Sequence, residues 1–449
     1  MQLRDLGAAG VALVVMVGAS GEAWAACPPF PSPQAARASG QLAGAIMGEM
    51  KQVPPPARHL PIPTGPLLSV RIVLQRGECL GSCPSYRVEI HGDGTGTFQG
   101  KGSVLVRGDH SFRVPPEIVQ CLLENFRAAD FWSLAPKYEA QITDAPFYEV
   151  TLEIGGRRKI VDDYVGAWVG MPATVTELET AIDVAAANRF VEGDDHTIEA
   201  LRSEKFNFQS EAGGALLAGA AATGPDELVL DLIAAGAPVY GRATQERSVE
   251  RAPAIIAAAG RGRARVVRAL IAAGAFRGDD ANLKNDAYLG AAATLDEDTL
   301  VEILAANPDI NARGNDGRTA LMALQHDDQT EPDQLAQNGP RQITIARRLL
   351  ALGADATLRD RSGDTALYYV TEPELVRLLV KAGAPLETRN ELGWTPLLAV
   401  GTDEAAVALL EAGADPHAVS DGGDTVLKTA TDRKWVHTLT FLAAQGVTR

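Results

Sequence analysis

Leu379-Val380-Lys381-Ala382-Gly383-Ala384 and Leu409-Leu410-Glu411-Ala412-Gly413-Ala414 read as one helix end met twice. The paired aliphatics pack inward, and the glycine takes the left-handed conformation that stops a helix. The same ending stands at Leu232–Gly236, Leu270–Gly274 and Leu349–Gly353, and at Ile303–Asn307, where Asn is the other residue that tolerates that conformation. Ten residues beyond each of the last three glycines comes a second unit: Gly363-Asp364-Thr365-Ala366-Leu367, Gly393-Trp394-Thr395-Pro396-Leu397 and Gly423-Asp424-Thr425-Val426-Leu427. Gly317-Arg318-Thr319-Ala320-Leu321 is an earlier copy. Thr can accept the free N–H groups of a first helical turn, and Pro396 fits the first helical position, where no N–H is needed. From about residue 211 onward the chain is therefore expected to be a series of helical units.

These residues resemble the ankyrin repeat, with its Gly-x-Thr-Pro-Leu-His opening and Leu-Leu-x-x-Gly-Ala ending. The resemblance implies an all-α ankyrin-repeat solenoid over 191–449, with about seven copies from 211. The family's His is replaced by Met322, Tyr368, Leu398 or Lys428, so its hydrogen bonds are missing. The polar stretch Gln325–Gln342 is expected to be a solvated insertion between two helices, and the last copy, ending at Gly446, a degenerate cap. In such stacks a partner protein is bound by the residue between Gly and Thr and by the residue after Leu. Here the first column is Arg318, Asp364, Trp394 and Asp424, and the second is Met322, Tyr368, Leu398 and Lys428. Trp394 is the sharpest candidate if its finger is exposed, because Trp is enriched at interface hot spots. Met322, Tyr368 and Leu398 have an alternative reading as filler between neighbouring inner helices.

Residues 66–190 change the period to two. Val70, Ile72 and Leu74 alternate, as do Tyr86, Val88 and Ile90, and Tyr148, Val150, Leu152 and Ile154. Asp93-Gly94 signals a hairpin, with Thr95–Gln99, Val104–Arg107 and His110–Val114 continuing the meander. A helix is expected after Pro115-Pro116 with Ile118, Cys121, Leu122 and Phe126 inward, and Thr174–Glu177 reads as a capping box opening another. The fold expected is a compact α+β domain. Gly77-Glu78-Cys79-Leu80-Gly81-Ser82-Cys83-Pro84-Ser85-Tyr86, followed by Gly92-Asp93-Gly94-Thr95, resembles a bacterial exported domain of unknown function with a Gly-x-Cys-x-Gly-x-Cys-Pro-x-Tyr signature.

Compartment decides how the cysteines read. Leu6–Ala19 is apolar and too short to span a bilayer comfortably, and Ala23-Trp24-Ala25 offers a small-x-small cleavage pattern. A signal peptide over 1–25 is expected, with a periplasmic or secreted chain starting at Ala26; an uncleaved anchor and lipidation of Cys27 stay as alternatives. A Pro- and Ala-rich linker, expected to be poorly ordered, fills 26–65, and no later run is apolar enough to cross a membrane. In an oxidising compartment Cys79 and Cys83 are expected to form a disulfide and Cys121 to be a buried thiol. The competing reading makes Cys79 and Cys83 a redox or soft-metal site. A net charge of -16 argues against nucleic acid as a partner. The histidines fall in no metal-hydrolase or nucleophile-elbow pattern, and Gly92–Gly96 lacks the helix a phosphate cradle needs. No cofactor and no enzyme site is expected. The function expected is a non-catalytic protein-binding scaffold of the cell envelope.

Overall fold

The computed structural model describes residues 52–80, 83–240, 252–277, 280–324 and 332–447. The expected signal peptide, its cleavage point and Cys27 lie outside the described residues. Among the described residues no helix is long and apolar enough to cross a membrane. The chain divides into two compact units, Met1–Phe206 and Asn207–Arg449.

The first unit is built on β1 (Arg71–Arg76), β2 (Ser85–His91), β3 (Thr95–Gly102), β4 (Gly108–Arg113), β5 (Lys137–Glu139), β6 (Tyr148–Ile154) and β7 (Arg157–Tyr164). They form one sheet in the order β4-β3-β2-β1-β6-β7-β5, antiparallel throughout except for the β5–β7 pair. Alternation makes one face apolar: Ile72, Leu74, Val88, Ile90, Val150 and Leu152 are fully buried. Near the opposite face Arg71 pairs with Glu89 at 2.6 Å and Glu153 at 2.9 Å. The Asp93-Gly94 hairpin forms as expected. Gly94 has φ +79°, and Asp93 Oδ1 accepts the Thr95 N–H at 2.9 Å.

Helices α1 (Pro116–Ala128), α2 (Ala173–Ile182), α3 (Asn188–Val191) and α4 (Thr197–Ser203) complete the unit, with a π-turn at Asp183–Ala187 between α2 and α3. Several expectations need correction. Val104–Arg107 is not a strand, and β5, too short to show alternation, was not anticipated. Helix α2 starts after Pro172 with no side-chain cap, so Thr174–Glu177 sits inside it and forms no capping box. The buried stripe of α1 is Val119, Leu122, Leu123 and Phe126. That rotation leaves Cys121 at the margin, half-buried and disulfide-bonded rather than a buried thiol. The described end of the Pro-rich segment is tied down. Val53 N donates to Val169 O at 2.8 Å and Leu60 N to Ser133 Oγ at 2.6 Å. The unit also runs past the expected boundary at 190, because Glu204, just beyond α4, accepts the Ser111 N–H of edge strand β4 and lies 2.8 Å from His110 Nδ1. A carboxylate on the edge amide blocks further strand pairing there.

The second unit is all-helical. Its elements are α5 (Glu211–Thr223), α6 (Asp226–Ala234), α7 (Ala254–Ala259), α8 (Ala264–Ala272), α9 (Ala281–Ala293), α10 (Glu297–Leu304), α11 (Ala320–Ala323), α12 (Pro332–Ala351), a 3₁₀ turn at Ala366–Tyr369, α13 (Pro373–Lys381), α14 (Pro396–Ala399), α15 (Asp403–Glu411), α16 (Val426–Asp432) and α17 (Val436–Ala444). Each aliphatic pair ends its helix as expected. Gly236, Gly274, Gly353, Gly383 and Gly413 have φ between +85° and +99°, and Asn307 has +52°. Part of the expected polar insertion is helix α12, where Gln342 is 2% exposed and its Nε2 donates to Leu324 O at 2.6 Å. Amide bonding to the free carbonyl beyond α11 makes that polar side chain a packing residue.

Candidate functional site

Strand register brings ionisable side chains of the first unit into a line that no local motif announces. Tyr86 on β2 is opposite Arg76 on β1, Arg76 opposite Tyr148 on β6, Tyr148 opposite Asp163 on β7, and Asp163 opposite Tyr138 on β5. Residues in register share one face. This is the face of Ile72, Leu74 and Val150, so the line closes one end of the apolar core. Over it α2 and the π-turn set Glu179 and Asp183, four residues apart and hence on one helical side.

The contacts are specific. Tyr86 Oη donates to Asp183 Oδ1. The Arg76 guanidinium lies 5.0 Å from the Tyr148 ring centroid. Asp163 Oδ1 accepts the Gly166 N–H at 2.6 Å, and Tyr138 Oη accepts the Ala135 N–H at 3.2 Å. Burial, with the charges of Asp163 and Asp183 beside it, pushes the Glu179 carboxyl well above the usual range. Burial raises Asp183 to about 6, against the opposing pull of the Tyr86 hydrogen bond and Arg76. Asp163 is raised by burial too, and the Tyr148 phenol is pushed up to about 12.

The disulfide stands beside this line. Cys79 and Cys83 are bonded, with Cα atoms 5.7 Å apart, as the sequence led one to expect. They lie in the connection from Arg76 to Tyr86, so the bridge shortens the loop joining two members of the line. Gly77 must be glycine here, since a Cβ would meet the Phe147 ring at 2.3 Å. Residues 70–186 match the family model of a domain of unknown function, DUF6438. The matched domain holds every residue of the line, from Arg76 to Asp183. The match does not extend to the second unit, and no curated protein matches the chain. Among the described residues no group of three His, Cys, Asp or Glu side chains is placed to hold a metal ion.

The partner-contact residues named from the sequence lie on the tight turns of the second unit and the helices after them. Four turns close alike: Gly314 N donates to Arg318 O, Asp360 N to Asp364 O, Asn390 N to Trp394 O and Ser420 N to Asp424 O, at 2.8 to 3.1 Å. Adjacent turns are joined through the backbone, Arg361 N to Asp316 O at 2.9 Å, Glu391 N to Ser362 O at 3.0 Å and Asp421 N to Leu392 O at 3.3 Å. An arginine spans each junction. Arg313 donates to Gly317 O and Arg359 O, Arg359 to Gly363 O and Arg389 O, and Arg389 to Gly393 O and Val419 O. The sequence reading missed these arginines. Their signal was an Arg four residues before three successive turn glycines.

Arg318, Asp364, Trp394 and Asp424 are all half-buried rather than fully exposed, and Lys428 is exposed. Arg318 lies over the Tyr369 ring at 4.4 Å. Asp364 accepts from Asn390 Nδ2 at 2.8 Å and from Tyr369 Oη at 3.2 Å, and burial raises its carboxyl. Asp424 and Lys428 pair at 2.5 Å. Met322 and Leu398 are 1% exposed and Tyr368 6%. The Tyr368 hydroxyl shares its one proton between Thr388 O and Trp394 O, the latter at 2.8 Å, which ties its turn to the next. Thr365 and Thr395 are buried, and their hydroxyls find no partner among the described residues.

Proposed function

We propose that this chain is a non-catalytic protein-binding scaffold of the bacterial cell envelope, exported by the segment 1–25 and acting through an ankyrin-like solenoid in its second unit. The observation that carries the reading is the chain of turns at 314–318, 360–364, 390–394 and 420–424, each bonded to the next by backbone and by Arg313, Arg359 or Arg389. A stack needs repeated neighbour-to-neighbour contact of this kind and makes an extended surface that binds other proteins. The helices support it in two layers. Inner neighbours run α5, α7, α9, α11, the 3₁₀ turn, α14, α16. The outer layer is joined by Glu227–Arg265, Arg268–Glu302, Glu297–Arg348, Arg347–Glu374 and Arg377–Glu411 pairs. Tyr368 takes over the inter-repeat bonding that the family's His would supply.

On this reading the partner meets Arg318, Asp364, Trp394, Asp424 and Lys428, and Tyr368 holds the turns in place behind them. The test uses full-length protein as bait for envelope proteins, followed by titration of whatever is captured. Trp394→Ala is expected to weaken that complex by ~2 kcal/mol or more with little change in melting temperature. Arg377→Ala, on the outer helices, is expected to leave binding unchanged. Equal binding by wild type and Trp394→Ala would move the interface off the turns.

A further inference from the structure

The acids under α2 do not balance. Glu179 is 3% exposed and its Oε1 has no hydrogen-bond partner among the described residues; Arg76 Nε, also buried, has none. Asp163 is 7% exposed. The groups converging here are Arg76 from β1, Tyr86 from β2, Tyr148 from β6, Asp163 from β7, Glu179 from α2 and Asp183 from the π-turn, with Glu192 beyond α3 adding negative potential at Asp183. On α3 itself Arg189 donates to Ala185 O of the turn at 2.7 Å, and His110 of β4, paired with Glu204, stacks on Phe190 at 5.3 Å. Among the described residues Arg76 is the cation that acts on Glu179 and Asp183, while Arg189 spends its guanidinium on Ala185 O. With Asp163, Glu179 and Asp183 all ionised, negative charge would exceed positive charge in a desolvated site, a state more costly than keeping protons on the acids.

The protons bear on a hinge. Asp183 opens the π-turn Asp183–Ala187, and Tyr86 anchors it to the sheet. Insertions of this kind interrupt regular helix bonding. Beyond it, Val106 N and Leu105 N donate to Phe190 O and Val191 O at 2.8 and 2.9 Å, and the Phe190 ring stacks on Phe98 at 4.8 Å. The turn leads directly into α3, whose contacts to Leu105, Val106 and Phe98 hold it beside the sheet.

We propose that this cluster is a proton-operated clasp: protonated Glu179 and Asp183 hold the turn 183–187 and α3 on the sheet, and loss of those protons loosens both. The sign follows from burial. Asp183 is raised to about 6 and Glu179 well above its ordinary value. The folded protein then binds protons that an unfolded carboxyl releases above roughly pH 4. Their stabilising contribution is complete below that value and is lost as pH rises through about 6 for Asp183 and through the raised pKa of Glu179.

Amide exchange on the full-length protein tests this, with rates in 183–191 divided by intrinsic rates between pH 5 and 8. Wild type is expected to lose about tenfold or more in protection across that range, one pKa unit being a factor of ten. Glu179→Gln, neutral at every pH, is expected to flatten the decline, and Asp183→Asn to do the same if it folds. Tyr86→Phe, which removes the anchor, is expected to lower protection already at pH 5. A flat profile in wild type overturns the proposal. So does an undiminished decline in Glu179→Gln, which would assign the pH dependence to groups outside the cluster.

Discussion

The two units solve the same problem, burying enough apolar surface, with contacts of opposite reach. In the first, β1 sits between β2 and β6, pairing Leu74 with Val88 on one side and Val150 on the other. Such a sheet has no part that stands alone. In the second, α13 is adjacent to α12 and α15, and each turn is bonded to the next one along the chain. Damage should therefore spread through the first unit and stay local in the second.

The largest effects should come from two matched cavities. Ile72 and Leu409 are both 0% exposed. Ile72→Ala and Leu409→Ala should each cost ~2–5 kcal/mol. Hydrogen exchange is the discriminating measurement: Ile72→Ala should accelerate exchange in every strand, whereas Leu409→Ala should act on α13, α15 and α17 and leave α5 to α9 protected. Uniform acceleration across the second unit would break the comparison.

What the sequence could disclose divides along the same line. The second unit writes its geometry in short words. A glycine that must take positive φ at Gly383 and Gly413, an aliphatic pair before it, and Pro396 at a helix start are each decided within a few residues, so they are readable without the fold. Its tertiary details were harder. Tyr368 was equally readable as a surface contact or as filler, because its bond to Trp394 O joins residues of two different units of the pattern. In the first unit, alternation revealed β1, β2 and β6 and the Asp93-Gly94 turn, and cysteine spacing revealed the disulfide. The line of Tyr86, Arg76, Tyr148 and Asp163 stayed hidden, because each residue is an unremarkable end of its own strand. Only register makes them neighbours. The same holds for Cys121, whose helix is rotated by one position relative to the stripe Ile118, Leu122 and Phe126.

A middle-sized effect sharpens this contrast at the disulfide. Replacing Cys79 and Cys83 together by Ser should destabilise the first unit by ~2 kcal/mol, the loop-closure value for so short a loop. Amide exchange of the strands in rising denaturant should detect it, and exchange in the helices of the second unit should stay as before. Since the bridge closes the connection between Arg76 and Tyr86, the double substitution should also lower amide protection at the two strand ends. Loss of stability in the second unit instead would mean that the two units do not unfold independently.

The smallest effect concerns the outer ion pairs of the second unit. Arg377 and Glu411 lie 3.1 Å apart with side chains 59% and 51% exposed. At that exposure solvent screening and side-chain entropy consume most of the Coulomb attraction, so a pair of this sort is worth roughly 0–1 kcal/mol. A double-mutant cycle, Arg377→Ala against Glu411→Ala, should give a coupling near the lower end and one that vanishes in high salt. The contrast is with Arg359, whose guanidinium bridges Gly363 O and Arg389 O across two turns. Those acceptors are backbone carbonyls, so Arg359→Ala removes hydrogen bonds made by a charged group, a larger and less salt-sensitive loss. If the outer pair proved the stronger of the two, cohesion between successive helices would be electrostatic, and the linked turns would not be what holds the second unit in register.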